Sequence, residues 1–189
     1  NYLYDYGFKY QDPNKPYAMD GFVNSAGAVK GLEAYKELYK CCTPPGASNS
    51  YMSEGLDAFK SGQVALQMNF FAFFPGLSKD PQVGGEKTGF FAIPKGDKQF
   101  AQLGGQGISV VKYSDKQPMA LEYLKWFAQQ SVQKKWWDSG GFTCHNAILN
   151  APGFDKSTPY AKVFLDSMKM VKDFWAEPLY VPLLLDMQN

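Results

Sequence analysis

Apolar residues recur at three- and four-residue spacing between Ser25 and Lys40, where Val29, Leu32, Tyr35 or Lys36, and Leu38 or Tyr39 fall on one helical face. Asn24 or Ser25 can cap that helix, Lys36 and Lys40 suit its C-terminal end, and Thr43-Pro44-Pro45-Gly46 stops it. The pattern then predicts a second helix from Ser50 or Tyr51 to Lys60, closed by Gly62, and a strand from Val64 to Asn69. Short strands are predicted over Gly89–Ile93, stopped by Pro94, and over Ile108–Lys112, entered from Leu103-Gly104-Gly105-Gln106-Gly107. A helix from Pro118 to Gln129 carries Leu121, Leu124, Trp126 or Phe127 and Ala128 as its expected buried stripe. Ser131–Asp138 reads as another helix, ending at Gly140-Gly141, with one ring of the Trp136-Trp137 pair packed inward. A last one runs from about Pro159 to Phe174. Helices alternating with strands, without repeats, predict an α/β fold.

At 189 residues the chain can build one sizeable core or parts of two domains. Nineteen basic side chains face eighteen acidic ones with no charged block, so neither nucleic acid nor an anionic membrane surface is an expected partner. The longest apolar candidate, Val181–Leu185, is far short of a bilayer span, so no direct membrane insertion is expected. Asn1–Gly7 reads as the end of a helix with its glycine stop, and Gln188-Asn189 follows just after an amphipathic run begins. Both ends read as cut, as in part of a longer polypeptide, so the missing signal peptide carries no information about location. The adjacent Cys41 and Cys42 and the solitary Cys144 form no metal-binding spacing, and His145 cannot complete a zinc site with them. Buried free thiols are expected, with a bridge from Cys41 or Cys42 to Cys144 as the alternative in an oxidising compartment.

Aromatics make up 16% of the chain, and four phenylalanines fall within five positions, Phe70-Phe71-Ala72-Phe73-Phe74, before Pro75-Gly76. Some of these rings belong to a core by alternation. Asn69, Ala72 and Pro75-Gly76 interrupt the run, so one or two rings are expected to face a cleft, where they suit the apolar faces of a sugar. Signatures of chemistry are missing: no G-x-S-x-G elbow, HExxH helix or phosphate-binding G-x-x-x-x-G-K-S/T loop occurs. Gly104, Gly105 and Gly107 enter a strand rather than leave one, which suits close backbone approach and not a dinucleotide cradle. No cofactor or metal is expected. His145, next to Cys144, reads as a polar loop contact or an incidental histidine rather than half of a nucleophilic pair.

The order of these motifs resembles family 1 extracellular solute-binding proteins, the maltose-binding-protein-like receptors of bacterial sugar ABC transporters. The resemblance rests on Phe22-Val23-Asn24-Ser25-Ala26-Gly27-Ala28, on Ala58–Leu66 against F-x-x-G-K-x-A-M, and on Ile93-Pro94-Lys95-Gly96. It continues through Gly104-Gly105-Gln106-Gly107-Ile108, the helix from Ser114 to Phe127, and Ser131–Gly141 against S-x-x-x-Q-x-x-W…G-G. It implies a periplasmic-binding-protein-like lobe of type II, part of a two-lobed receptor that binds a carbohydrate or polyol in an aromatic-lined interlobe cleft. The partner would be a membrane-embedded ABC permease, the location periplasmic, and the chain no enzyme. Residues 1–106 would then form the main lobe, 107–141 a segment that crosses to the other lobe, and 142–189 the return. An ungapped match puts Ala72 where relatives carry a stacking Trp, so Phe70, Phe71 or Phe73 would serve instead. Asn69, Gly104, Gly105, Gln106 and His145 complete the implied sugar-binding set, although Phe142-Thr143-Cys144-His145 replaces the Pro and Arg many relatives place after G-G. The rival is a carbohydrate-active hydrolase using a carboxylate pair invisible in one dimension. A third reading makes the aromatic cluster an adhesion interface.

Overall fold

The computed structural model describes residues 2–105, 107–173, 175 and 180–188. In chain order these hold helices α1 (Tyr2–Asp5), α2 (Ala26–Cys42), α3 (Met52–Lys60) and α4 (Phe74–Ser78), then strand β1 (Ala101–Gln102). There follow α5 (Gln117–Phe127), α6 (Gln130–Asp138), α7 (Asn146–Leu149), α8 (Ala161–Met168), strand β2 (Val171–Lys172) and α9 (Tyr180–Gln188). The fold is helix-rich mixed α/β. Its strands pair in parallel, Ala101 opposite Val171 and Gln102 opposite Lys172.

The chain divides into two compact units. Unit 1 comprises Asn1–Met68, Ala92–Leu103 and Ser167–Asn189; unit 2 comprises Asn69–Phe91 and Gly104–Asp166. The expected crossing segment 107–141 lies wholly inside unit 2, together with residues 69–91 and 104–106 from the expected 1–106 stretch and 142–166 from the expected return.

In unit 1, Ser25 caps α2 by accepting the Ala28 N–H at 3.2 Å, as the sequence predicts. The buried face is another matter. Ala28 and Gly31 are the buried residues of α2, whereas Val29, Leu32 and Tyr35 are 49–59% exposed. The reason is backbone approach: a Cβ at Gly31 would meet Leu3 Cα at 3.0 Å and Tyr2 O at 3.1 Å, and one at Gly27 would overlap Tyr6 O. Alpha1 therefore lies against the glycine face, a contact that larger side chains would hold apart. Asp5, 4% exposed, accepts the Phe100 N–H at 2.7 Å, and Lys30 on α2 grips both carboxylate oxygens of Asp97 at 2.8 Å. These two acids fasten the turn at residues 96–100 to α1 and α2.

Cys41 and Cys42, the exposed last residues of α2, are bonded to each other. Cys144 is a free, exposed thiol of unit 2. This corrects both the expected buried thiols and the alternative bridge to Cys144.

Unit 2 is built on aromatic rings. Trp137, Phe154, Tyr160 and Phe164 are buried, and Trp137 lies 4.4 Å from Phe154 and 5.7 Å from Phe142 by ring centroid. Phe74 joins Phe90 at 4.7 Å. Trp137 is 3% exposed and Trp136 46%, so one indole of the pair does pack inward. The stripe expected on α5 does not form a core: Leu121 and Trp126 are 47% and 49% exposed. Nor do Val64–Asn69, Gly89–Ile93 and Ile108–Lys112 form strands, since among the described residues only β1 and β2 pair. A strand exists by virtue of its neighbour, and Leu66, Phe91 and Val111 stand 84%, 78% and 65% exposed. The last predicted helix is cut short, α8 ending at Met168 before the chain enters β2; Phe174 lies outside the described residues.

Candidate functional site

The phenylalanine run does not continue as a strand. Phe70 has extended backbone (φ −73°, ψ 150°), after which Phe71–Phe73 form a 3₁₀ turn that leads into α4. Proline is at home near the start of that helix, where Pro75 loses no intrahelical hydrogen bond. Because the chain turns here, the rings point in different directions. Phe71 goes inward, at 5.0 Å from Phe74, 5.4 Å from Phe164 and 5.8 Å from Phe142. Phe73 is half-buried, Ala72 is exposed, and Phe70 is 37% exposed.

Phe70 has one close neighbour that bears on binding. A Cβ built at Gly104 would fall 2.9 Å from Cδ1 and 3.0 Å from Cε1 of the Phe70 ring. The ring thus rests against bare backbone, an approach open only to glycine. Gly105, next along, would meet nothing within 4 Å and faces open space. Asn69 Oδ1 accepts the Phe70 N–H at 2.8 Å, which holds the amide beside the ring. Asn69, Phe70 and Gly104-Gly105 therefore gather at one place in unit 2, two segments that lie more than thirty residues apart in the chain.

His145 belongs to a different constellation. Its backbone N–H donates to Thr143 Oγ1 at 3.1 Å, and Thr143 in turn donates to Gln133 Oε1 at 2.8 Å. Its ring Nδ1 is shielded from solvent without a hydrogen-bond partner among the described residues. Among the described residues no hydrogen bond joins it to Phe70 or Gly104. Gln106 lies outside the described residues.

Two further features escape a one-dimensional reading. Unit 1 carries a cluster in which Tyr10 stacks on Trp175 (5.4 Å, 12°) and meets Phe8 and Tyr180 edge-on at 4.9 and 6.0 Å. Burial, with the Tyr10 hydroxyl beside it, pushes the Tyr180 phenol up to about 12. Burial likewise raises the Tyr4 and Tyr10 phenols. Tyrosines dispersed from position 4 to position 180 give no local signal of such a cluster. The second feature is a cavity of about 280 Å³ in unit 2, lined in part by Lys79, Trp137, Thr158 and Tyr160.

Ring and glycine backbone thus meet on a helix-rich α/β frame. The chain belongs to the bacterial extracellular solute-binding protein family, whose sequence model matches residues 1–134. Members of that family are substrate-binding components of ABC transporters and are typically non-enzymatic, so a small-molecule ligand and a transporter are the partners it implies. An extracellular family also implies secretion; among the described residues no helix is long and apolar enough to cross a membrane. No group of three or more His, Cys, Asp or Glu among the described residues could hold a metal ion.

Proposed function

We propose that this chain binds a carbohydrate or polyol in the periplasm, stacking it on the Phe70 ring, for delivery to a membrane-embedded permease. The observation that supports this reading is the partly exposed Phe70 ring lying against Gly104. An aromatic face bordered by open backbone matches a sugar, whose C–H surface stacks while its hydroxyls reach peptide groups. Asn69 spends its Oδ1 on the Phe70 N–H, which leaves its Nδ2 to donate to a ligand hydroxyl. Gly105, Gln106 and His145 are the further contacts in this proposal. Phe71 backs the site from the core, where it meets Phe74, Phe142 and Phe164. Phe73, half-buried, is a further candidate ring in this proposal.

A thermal-shift panel of mono- and oligosaccharides, polyols and their phosphates tests the ligand class, because a ligand bound only by the folded state raises its apparent stability. Phe70→Ala should weaken the hit by about 1 kcal/mol, roughly fivefold, on the scale of one aromatic contact. Calorimetric titrations unchanged by the substitution would overturn the stacking role, and a panel without a hit would overturn the ligand class.

A further inference from the structure

The cavity in unit 2 combines an uncommitted cation with an uncommitted hydroxyl. It opens between the end of α4, the end of α6 and the run Ser157–Tyr160 that precedes α8. Its volume, about 280 Å³, lies just below the usual range of ligand pockets, about 300–1,000 Å³. The buried rings of Trp137 and Tyr160, with Pro159, supply apolar wall.

Most polar groups around it are already satisfied. Ser78 Oγ donates to Pro75 O at 3.0 Å. Ser157 Oγ donates to Phe154 O at 2.6 Å and accepts the Trp137 Nε1–H at 3.1 Å. Both carboxylate oxygens of Asp138 are held by Lys134 Nζ, at 2.5 and 2.6 Å, which offsets the only acidic charge in the lining. Two groups remain. Lys79 is exposed and has no carboxylate partner among the described residues. Thr158 Oγ1 is shielded from solvent and has no hydrogen-bond partner in good geometry, although it stands near enough to the Tyr160 phenol to ease its ionisation against the effect of burial. A shielded hydroxyl left without a partner is costly unless something fills its place.

The residual groups are therefore proton donors: an ammonium with three N–H bonds and a hydroxyl. Their complement is an acceptor-rich anion. Indole, phenol and proline walls favour a carbon skeleton behind that anion over a bare inorganic ion. We propose that this cavity binds the carboxylate of a small organic acid of sugar-acid size, held by Lys79 and Thr158 with its body against Trp137 and Tyr160. Such a site is separate from the Phe70–Gly104 contact, so a receptor loaded with a neutral sugar could still sense an acidic solute.

The test is a titration of the full chain with D-glucuronate, D-glucose and inorganic phosphate, followed by calorimetry and by the Trp137 indole N–H resonance. Glucuronate should bind and move that resonance, and glucose should leave it in place. Lys79→Gln, a change on the surface, and Thr158→Val, a change of equal shape, should each weaken glucuronate by about tenfold, as expected for loss of a charge-assisted or buried hydrogen bond. Phe70→Ala should leave glucuronate binding unchanged, which keeps this test apart from that of the sugar site. Three results would overturn the proposal: no response to glucuronate at millimolar concentration, parental affinity retained in both variants, or an equal shift with glucose. Binding of phosphate without glucuronate would overturn the organic-acid assignment.

Discussion

Gly104 shows how one missing carbon can shape a surface. With a Cβ there, 2.9 Å from Phe70 Cδ1, the ring has to swing away from the backbone it now rests on. Gly104→Ala is therefore expected to weaken ligand binding about as much as Phe70→Ala, whereas Gly107→Ala, which meets open space, should bind as the parent does. Calorimetric titration of the pair checks the contrast; equal effects would mean that backbone flexibility, not the ring, is at stake. Asp5 gives a second prediction, in pH. Burial raises its carboxyl above the usual range, partly opposed by the Phe100 N–H. An acid whose folded pKa is raised contributes stability that is full below its unfolded value, about 4, and is lost as pH rises through the folded value. At neutral pH the native state thus carries a shielded carboxylate. Asp5→Asn keeps an acceptor for Phe100, so it should stabilise at pH 7 and lose that advantage on acidification. Urea denaturation across pH 3 to 7 reads this directly, and an advantage that grows toward low pH would contradict it. Neither site could be placed from sequence alone, because Asp5 and Phe100, like Phe70 and Gly104, meet only through the fold.

Among the elements, helix positions were readable and buried faces were not. Alpha2, α3, α5 and α6 begin and end within a few residues of their predicted bounds, because caps, prolines and glycines act locally. The apolar stripe of α2 nevertheless faces solvent, since the glycine face admits α1 more closely than any stripe of large residues could. The predicted strands failed for a related reason: no alternation in a single segment reveals whether a partner will lie alongside it. The tie between α6 and the loop at Thr143 is more firmly built. Thr143, 2% exposed, donates to Gln133 Oε1 and accepts the His145 N–H, while Gln133 Nε2 donates to Phe127 O. Thr143→Val keeps the shape and strands the buried Gln133 Oε1 and the part-buried His145 N–H, at an expected cost of about 1–3 kcal/mol. A fall in the urea midpoint at unchanged slope measures it.

For the whole molecule, the family match and the folding units do not share a boundary. The match ends at Lys134, inside α6, while the aromatic core of unit 2 draws on Trp137, Phe142, Phe154, Tyr160 and Phe164 further along. Unit 1 likewise needs Val171-Lys172 to pair β1, and Trp175 and Tyr180 for its tyrosine cluster. A chain ended after Lys134 is therefore expected to lose cooperative unfolding and near-ultraviolet circular dichroism and to bind hydrophobic dye; a sharp two-state transition would refute this. The α/β class, the helix ends, the inward tryptophan of its pair and the family could all be read in one dimension, because they rest on local spacing and motif order. Which phenylalanine stays open, which glycine it leans on, how the cysteines pair and which side chains line the cavity of unit 2 were decided only by tertiary contacts. Those properties depend on distances between segments far apart in the chain, and such distances come from packing rather than from the pattern of any one segment.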